Sequence, residues 1–176
     1  MANDATPDDR LSSFIGSRIL IVMSNPPLGT SGDRTMKRVA LMRELLRADS
    51  TLTANLFALP TYRTGDISQV GQQPSGWLDA RSQILKGVSF ADAVVLAYGA
   101  QEPRGAARAH FRSQVRWLHD ALRMHDMPTW TVGGRPLHPS RWHRHTHRTH
   151  PSESFQRALL DSLEPVDPGQ HNCARS

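Results

Sequence analysis

The sequence predicts a three-layer α/β fold, in which a central, mostly parallel four-stranded sheet carries helices on both faces. Two observations predict this class. Short apolar runs alternate with amphipathic segments along the chain, the pattern of parallel strands joined by helical crossovers. The length of 176 residues, 38% of them hydrophobic, suits a single domain with a sizeable core. We expect this domain to span residues 17–163, between a flexible N-terminal segment (1–16) and a flexible C-terminal tail (164–176).

The first half of the chain predicts two strands around a helix. Residues 18–24 form a continuous aliphatic run that ends in Asn25-Pro26, and such runs are typical of strands buried on both faces. Residues 34–48 place apolar side chains at helical spacing with basic ones between them, which predicts an amphipathic helix. Residues 51–57 predict the second strand. The polar segment 60–76 is longer than most connections, so we expect a functional or mobile loop there.

The second half repeats the alternation. A short helix is predicted around residues 78–85, and the third strand over 91–98. Residues 105–125 carry one apolar stripe and predict the longest helix. The fourth strand is predicted over 129–132, a loop over 133–140 and a last helix over 154–163.

Composition and charge exclude several classes of protein. The net charge is +5, and all but two of the 21 basic residues are arginines, which favour forked contacts to phosphate or carboxylate. The apolar runs are too short to span a membrane, and the acidic N-terminus lacks the features of a secretory signal, so we expect a cytoplasmic protein without a membrane partner. The single cysteine, Cys173, excludes an intrachain disulfide and a cysteine metal cluster. A monomer is favoured.

Polar side chains follow the predicted strands at their carboxyl ends, where ligands of open parallel sheets bind. Each could instead have a structural role, in capping a turn or closing the core, but four loops meet at this edge. The candidate residues at the edge are Ser24, Asn25, Pro26, Asp33, Asn55, Phe57, Tyr98, Gly99, His138 and Ser140.

The same motifs resemble a bacterial and phage family known as domain of unknown function 1643. The resemblance rests on an Asn-Pro after the first strand, an Asp-Arg-Thr helix start, an Asn-Leu-Phe strand, a Tyr-Gly strand end and a late His-Pro. These motifs lie at Asn25, Asp33, Asn55, Tyr98 and His138. The resemblance covers about residues 18–142 and implies no activity.

The order of the motifs is also similar, more loosely, to that of the uracil-DNA glycosylase superfamily. This resemblance implies that Asn25 positions a water molecule, Asn55 reads a base, and His138 with Ser140 forms a loop that grips the substrate. It implies a glycosylase-like fold and the cleavage of an N-glycosidic bond. We expect Asn25, Asp33 and His138 to be the catalytic residues. Such a reaction needs an oriented water and a donor to the leaving base, so we expect no cofactor and no metal.

Three functions remain open at this point. The first is a nucleobase-directed enzyme that acts on a nucleic acid or a nucleotide. The second is a non-catalytic module that binds the same partners. The third is a small-molecule enzyme of secondary metabolism.

Basic side chains near the candidate site favour a nucleic-acid partner. Arg135, Arg141, Arg144 and Arg148 lie in a stretch, residues 133–150, without an acidic residue. They could track phosphates, or they could form a solvated basic surface. A second row, Arg104, Arg108, Arg112 and Arg116, recurs every four residues and allows the same two interpretations.

Histidines alternate with other residues in the segment 143–150. In an extended chain they would share one side, and imidazole is a good ligand for zinc, copper or nickel. Neighbouring arginines repel a cation, however, and no carboxylate or cysteine lies among these histidines. We therefore expect a flexible polycationic loop rather than a metal site.

Overall fold

The structure is a computed structural model, which describes residues 11–29 and 32–169. These residues form a mixed α/β fold with one five-stranded sheet. The strands are β1 (Arg18–Met23), β2 (Ser50–Asn55), β3 (Ala93–Ala97), β4 (Thr129–Val132) and β5 (Leu163–Val166). The helices are α1 (Asp33–Leu45), α2 (Ile67–Val70), α3 (Ser75–Phe90), α4 (Ala107–Met124), α5 (Pro139–Thr149) and α6 (Phe155–Asp161), with a 3-10 turn at Thr64–Asp66.

The sheet has the strand order β2-β1-β3-β4-β5. The first four strands are parallel to one another, and β5 runs antiparallel to β4. In register, Met23 lies opposite Asn55 on one side and Ala97 on the other. The carboxyl ends of the three strands β2, β1 and β3 are therefore level, which brings the loops that follow them to one edge.

Each face of the sheet is covered by helices, because β1 and β3 bury side chains of alternating direction on both sides. On one face, Leu20 and Val94 pack against residues of α3 and α4, such as Ile84 and Leu118. On the other, Ile21 packs into a cluster with residues of α1, α5 and α6, namely Met42, Trp142 and Leu159. These two apolar layers hold the strand ends in place.

The α/β class and the mostly parallel sheet are confirmed, but the prediction of four strands is wrong. Residues 164–166, assigned from the sequence to the tail, pair with β4 as part of the fifth strand. At the other end, Phe14 belongs to the sequence-predicted N-terminal segment and is fully buried in the core. Residues 1–10 of that segment and residues 170–176 of the tail, which include Cys173, lie outside the described residues.

One predicted helix is longer than expected, and one stretch expected to be a loop is helical. Helix α3 begins at Ser75 and ends at Phe90, so it is twice as long as the segment 78–85 that the apolar spacing indicated. Helix α5 occupies most of the histidine and arginine segment that we expected to be a flexible loop. It buries Pro139, Trp142 and Thr146, which recur at helical spacing on its inner side. The indole of Trp142 donates to the carbonyl of Leu137 over 2.8 Å and fixes the start of the helix.

None of the helices in the described parts of the chain combines the length and the apolar character that crossing a bilayer requires.

Candidate functional site

The strand ends carry two cavities, one on each side of the sheet. Consecutive residues of a strand point to opposite faces, so the polar side chains at the strand ends are distributed between the two faces of the sheet. Asn25 and Asn55 face the layer of α1 and α5, whereas Ser24 and Tyr98 face the layer of α3 and α4. The ten candidate residues therefore do not form a single site.

The first cavity, which we call the site cavity, has a volume of about 320 Å³. It brings together three polar side chains that are far apart in the sequence: Asn25, Asn55 and His138. Its lining also includes Met23, Pro26, Pro27, Gly32, Thr35, Met36, Thr53, Thr61 and Tyr62. Among these described lining residues there is no carboxylate, lysine or arginine.

The amide of Asn25 is oriented by its two donor bonds. Its Nδ2 donates to the carbonyl of Pro26 over 2.9 Å and to Oγ1 of Thr61 over 2.8 Å. A proline carbonyl can only accept, so the nitrogen must be the atom that faces it. Both amide protons are used within the protein, and Oδ1 is the atom of this side chain that can accept a hydrogen bond from a ligand or a water.

Thr61 is a residue of this site that sequence reasoning missed. It is buried, and its hydroxyl donates to the carbonyl of Arg63 while accepting from Asn25. Its backbone also pairs with the loop after β1, through bonds to Pro26 and Leu28. The long polar segment after β2 thus contributes a bridge to the first-strand loop. The length and polarity of the segment 60–76 were the only sequence signal for it.

Asn55 ends β2 and presents an acceptor without a partner. Its Oδ1 is buried and forms no hydrogen bond in the described structure. A buried carbonyl oxygen without a donor costs about 1–3 kcal/mol relative to one that is satisfied. Because Asn55 lines the site cavity, a ligand that brings an N–H or O–H group there would remove this cost.

His138 is the residue before α5 and caps its N-terminus. Its Nδ1 accepts the backbone N–H of Ser140 over 3.3 Å and lies 3.0 Å from the hydroxyl of the same residue. Burial, together with the positive charge of Arg141, lowers the pKa of His138 from its usual 6.5. The ring is therefore neutral at pH 7. Since Nδ1 accepts, the proton lies on Nε2, and the ring offers a neutral N–H donor to a ligand.

The second cavity lies on the opposite face and has a volume of about 420 Å³. Ser24 and Tyr98 line it, with Trp77 and Phe111 as aromatic walls and Asp66, Glu102 and Arg104 at its polar positions. Tyr98 is nearly fully buried, which raises the pKa of its phenol and keeps it neutral. Ser24 and Tyr98, predicted to bind substrate together with Asn25 and Asn55, thus belong to a different cavity.

Four candidate residues lie outside both cavity linings, namely Asp33, Phe57, Gly99 and Ser140. Phe57 is fully buried and packs on Trp77, with ring centroids 4.6 Å apart, so it is a core residue. Gly99 donates its N–H to the carbonyl of Pro136 and fastens the end of β3 to the loop before α5. Asp33 is exposed on the first turn of α1. Pro26 lines the site cavity.

The buried side-chain amide of Gln114 binds the backbone just after the end of β2. Gln114 of α4 donates from Nε2 to the carbonyls of Trp77 and Leu56, over 2.8 Å and 3.2 Å. Its Oε1 accepts from Arg81 over 2.9 Å, and the guanidinium of Arg81 lies over the ring of Trp117. Gln114 therefore fixes the chain just after Asn55. No sequence pattern distinguished this glutamine from those on the surface.

The basic residues of α5 do not act as one cluster. Arg141 and Arg148 are exposed on the outward side of the helix, Arg135 is exposed in the preceding loop, and Arg144 lines a groove between α1 and α5. Ser140 lines the same groove. In the row on α4, Arg108 and Arg112 are paired with Glu102, at 3.6 Å and 2.9 Å. The single carboxylate of Glu102 therefore offsets one of their two positive charges.

The histidine run cannot act as an extended array, because it is helical. Its alternate histidines point in different directions around the axis, and His143 stacks on Phe155 with the rings 5.4 Å apart. Within residues 11–29 and 32–169, no three His, Cys, Asp or Glu side chains are grouped so that they could hold a metal ion.

Comparison with known sequences gives one match. Residues 12–140 match the model of a family described as "Protein of unknown function (DUF1643)". This stretch contains β1 to β4, the site cavity residues and the start of α5. No curated protein and no solved structure matches the chain.

Proposed function

The chain belongs to the DUF1643 family, and from the chemistry of its site cavity we propose that it is a nucleobase-directed protein. The observation that carries this proposal is that one cavity is lined by both Asn55, whose buried Oδ1 has no hydrogen-bond partner, and His138, whose neutral ring carries its proton on Nε2. A nucleobase presents N–H donors beside carbonyl acceptors on one edge. An acceptor and a donor fixed on a rigid wall are suited to such an edge.

The apolar part of the lining supports the same ligand class. Pro26, Pro27, Met23 and Met36 provide flat or adaptable surfaces for a planar ring. The volume of about 320 Å³ is sufficient for one nucleobase.

We propose further that the protein hydrolyses an N-glycosidic bond, as its resemblance to the uracil-DNA glycosylase superfamily implies. In this reaction the C1′–N bond breaks and its electron pair goes to the base. The oxygen of a water molecule bonds to C1′, and the proton that this water releases ends on the base. Asn25 Oδ1 orients the water, and His138 Nε2–H stabilises the negative charge that develops on the base.

The second candidate is a module that binds a base without cleaving it. The absence of a carboxylate from the described lining favours this candidate, because nothing there can take a proton from the water. Hydrolysis does not strictly require such a base. Its transition state is oxocarbenium-like, and an oriented neutral water is a sufficient nucleophile for it.

One experiment separates the two. The protein is incubated with nucleosides and with oligonucleotides that contain normal, deaminated or alkylated bases, and released base is measured by mass spectrometry. Release that depends on Asn25 and His138 supports hydrolysis. Saturable binding that depends on Asn55 without release supports the module, and neither binding nor release with any of these probes contradicts both.

A further inference from the structure

A groove between α1 and α5, which we call the basic groove, is lined on both sides by cationic side chains. Its volume is about 770 Å³. Helix α1 contributes Arg34, Lys37 and Arg38, and α5 contributes His143 and Arg144. The remaining lining residues are Ala40, Leu41, Glu44 and Ser140. Glu44 is the one acid among them, and it lies about 15 Å along α1 from Arg34.

The cations of this groove lack carboxylate partners in the described structure. The salt bridges of the described residues involve Arg18, Arg108, Arg112, Arg123 and Arg157. None of these arginines lines the groove. Like charges that face one another across a groove raise the free energy of the empty protein. An anionic ligand removes that repulsion.

Part of the groove is held in a fixed arrangement. The ring of Phe155, from α6, packs against both walls: the guanidinium of Arg38 lies 5.0 Å from its centroid and the ring of His143 lies 5.4 Å from it. A cation that is already stacked loses less side-chain entropy when it binds an anion.

The basic groove begins beside the site cavity, because residues at the start of both helices line one or the other. On α1, Thr35 and Met36 line the site cavity while Arg34 and Lys37 line the groove. On the other wall, His138 lines the cavity and Ser140, two residues further on, lines the groove. If one base of a nucleic-acid strand enters the cavity, the phosphate backbone of that strand would therefore lie along the groove.

We propose that the basic groove holds the phosphate backbone of a nucleic-acid strand, one base of which occupies the site cavity. This inference rests on the proposed function and names its substrate class as a polymer. The groove carries four permanent cations, from Arg34, Lys37, Arg38 and Arg144, whereas a phosphodiester carries a single negative charge. Several linked phosphates match this charge, and a mononucleotide does not.

The test compares two charge-matched double variants. In the groove variant, Lys37→Glu is combined with Arg144→Glu; in the control, Lys86→Glu is combined with Arg116→Glu. The control residues are exposed on α3 and α4, on the other side of the sheet. Binding of a labelled single-stranded 15-mer, of the same strand in a duplex and of a nucleoside monophosphate is measured at several salt concentrations.

For the wild type, log K should fall steeply with log salt for the 15-mer. The groove variant should flatten that slope by about 1.4, which is about 0.7 for each lost phosphate contact, while the control keeps the wild-type slope. Neither variant should change the binding of the mononucleotide by more than a small factor. Circular dichroism melts check folding, and if charge reversal unfolds the protein, Lys37→Gln with Arg144→Gln replaces it.

The outcomes separate this inference from the proposed function. Equal slopes in groove and control variants overturn the groove inference, and so does a 15-mer that binds no more tightly than the mononucleotide. In both cases a loss of base binding on Asn55→Ala leaves the proposed function standing. Conversely, groove-dependent binding of the 15-mer that is unaffected by Asn55→Ala supports the groove as a backbone surface and contradicts the base-directed function.

Discussion

The Nδ1 atom of His138 accepts the backbone N–H of Ser140, so a single side chain caps α5 and lines the site cavity. The cap fixes the tautomer, and the tautomer determines what the ring can offer to a ligand. These two tasks can be separated by substitution, because asparagine is a good cap but carries no imidazole.

His138→Asn should preserve stability, since its carbonyl oxygen can accept the N–H of Ser140 in place of Nδ1. His138→Ala should lose about 1 kcal/mol, the usual cost of a lost N-terminal cap. Both variants should lose the ligand binding or turnover that depends on Nε2–H. Urea unfolding and ligand titration measure the two effects. Full activity in the asparagine variant would show that the ring serves only as a cap.

The lowered pKa of His138 predicts a pH dependence of stability. The unfolded chain titrates near 6.5, whereas the folded ring, desolvated and close to Arg141, takes up its proton at a lower pH. The unfolded state therefore binds more protons as the pH falls below about 6.5, and stability is lost there and fully present above it. Urea unfolding at pH 8 and pH 5.5 should show a smaller loss for His138→Asn than for the wild type. Part of the loss should remain, because burial also lowers the pKa of His145.

Asn55→Ala should weaken ligand binding by at least about 1 kcal/mol, the value of a hydrogen bond in a buried site. It should leave the melting temperature unchanged or raised, because it removes an unsatisfied buried oxygen. Thr131→Val is the matched control: Thr131 Oγ1 is also buried without a partner but lies outside the lining of the site cavity. That variant should also keep or raise stability, with ligand binding unchanged. Equal affinities in the two variants would remove Asn55 from the binding site.

Gln114→Leu should destabilise the protein by at least about 2 kcal/mol, since it leaves two buried carbonyls and the Nε–H of Arg81 without their partner. Gln83→Leu, at an exposed position of α3, should stay within about 0.5 kcal/mol of the wild type. Denaturant unfolding of both variants provides the comparison. Similar free energies would show that the contacts of Gln114 with Leu56 and Trp77 contribute little.

The ion pair between Arg18 and Asp92 lies at the end of the sheet opposite to the site. We expect its contribution to the stability of the protein to be lost in acid. Side-chain and backbone hydrogen bonds from Arg18 lower the pKa of Asp92 from 3.8 to about 2. Its stabilisation is complete above pH 3.8 and is lost as the pH falls through 2. Asp92→Asn should flatten the acid limb of a plot of melting temperature against pH, whereas Asp79→Asn, at an exposed position, should not. Ligand binding at pH 7 should be unaffected in both.

The sequence predicts helices and strands well where their buried faces consist of apolar residues. The apolar stripe of α4 and the short strand β4 are both found within two residues of the expected bounds. Helix α5 was missed because its buried side is formed by Pro139, Trp142 and Thr146, of which only the tryptophan signals a core. Strand β5 was missed because it contains Pro165, which an edge strand tolerates and a central strand does not.

The candidate site could also be predicted only in part from the sequence. Parallel strands bring their carboxyl ends together, so the meeting of Asn25, Asn55 and His138 could be expected from the order of strands and loops. The separation of Tyr98 from them could not, because it depends on register. Ala97, not Tyr98, lies opposite Met23, and Tyr98 therefore points to the same face as Ser24.

The strand order also constrains the biosynthesis of the protein. Strand β1 lies between β2 and β3, so one edge of β1 stays unpaired during synthesis until residues 93–97 have been made. Asn25 and Asn55 are translated early, but His138 follows them by more than 80 residues and needs α5 for its capped conformation. Completion of the site thus follows the synthesis of all four parallel strands, and a nascent chain halted before residue 138 would carry only two of the three polar groups.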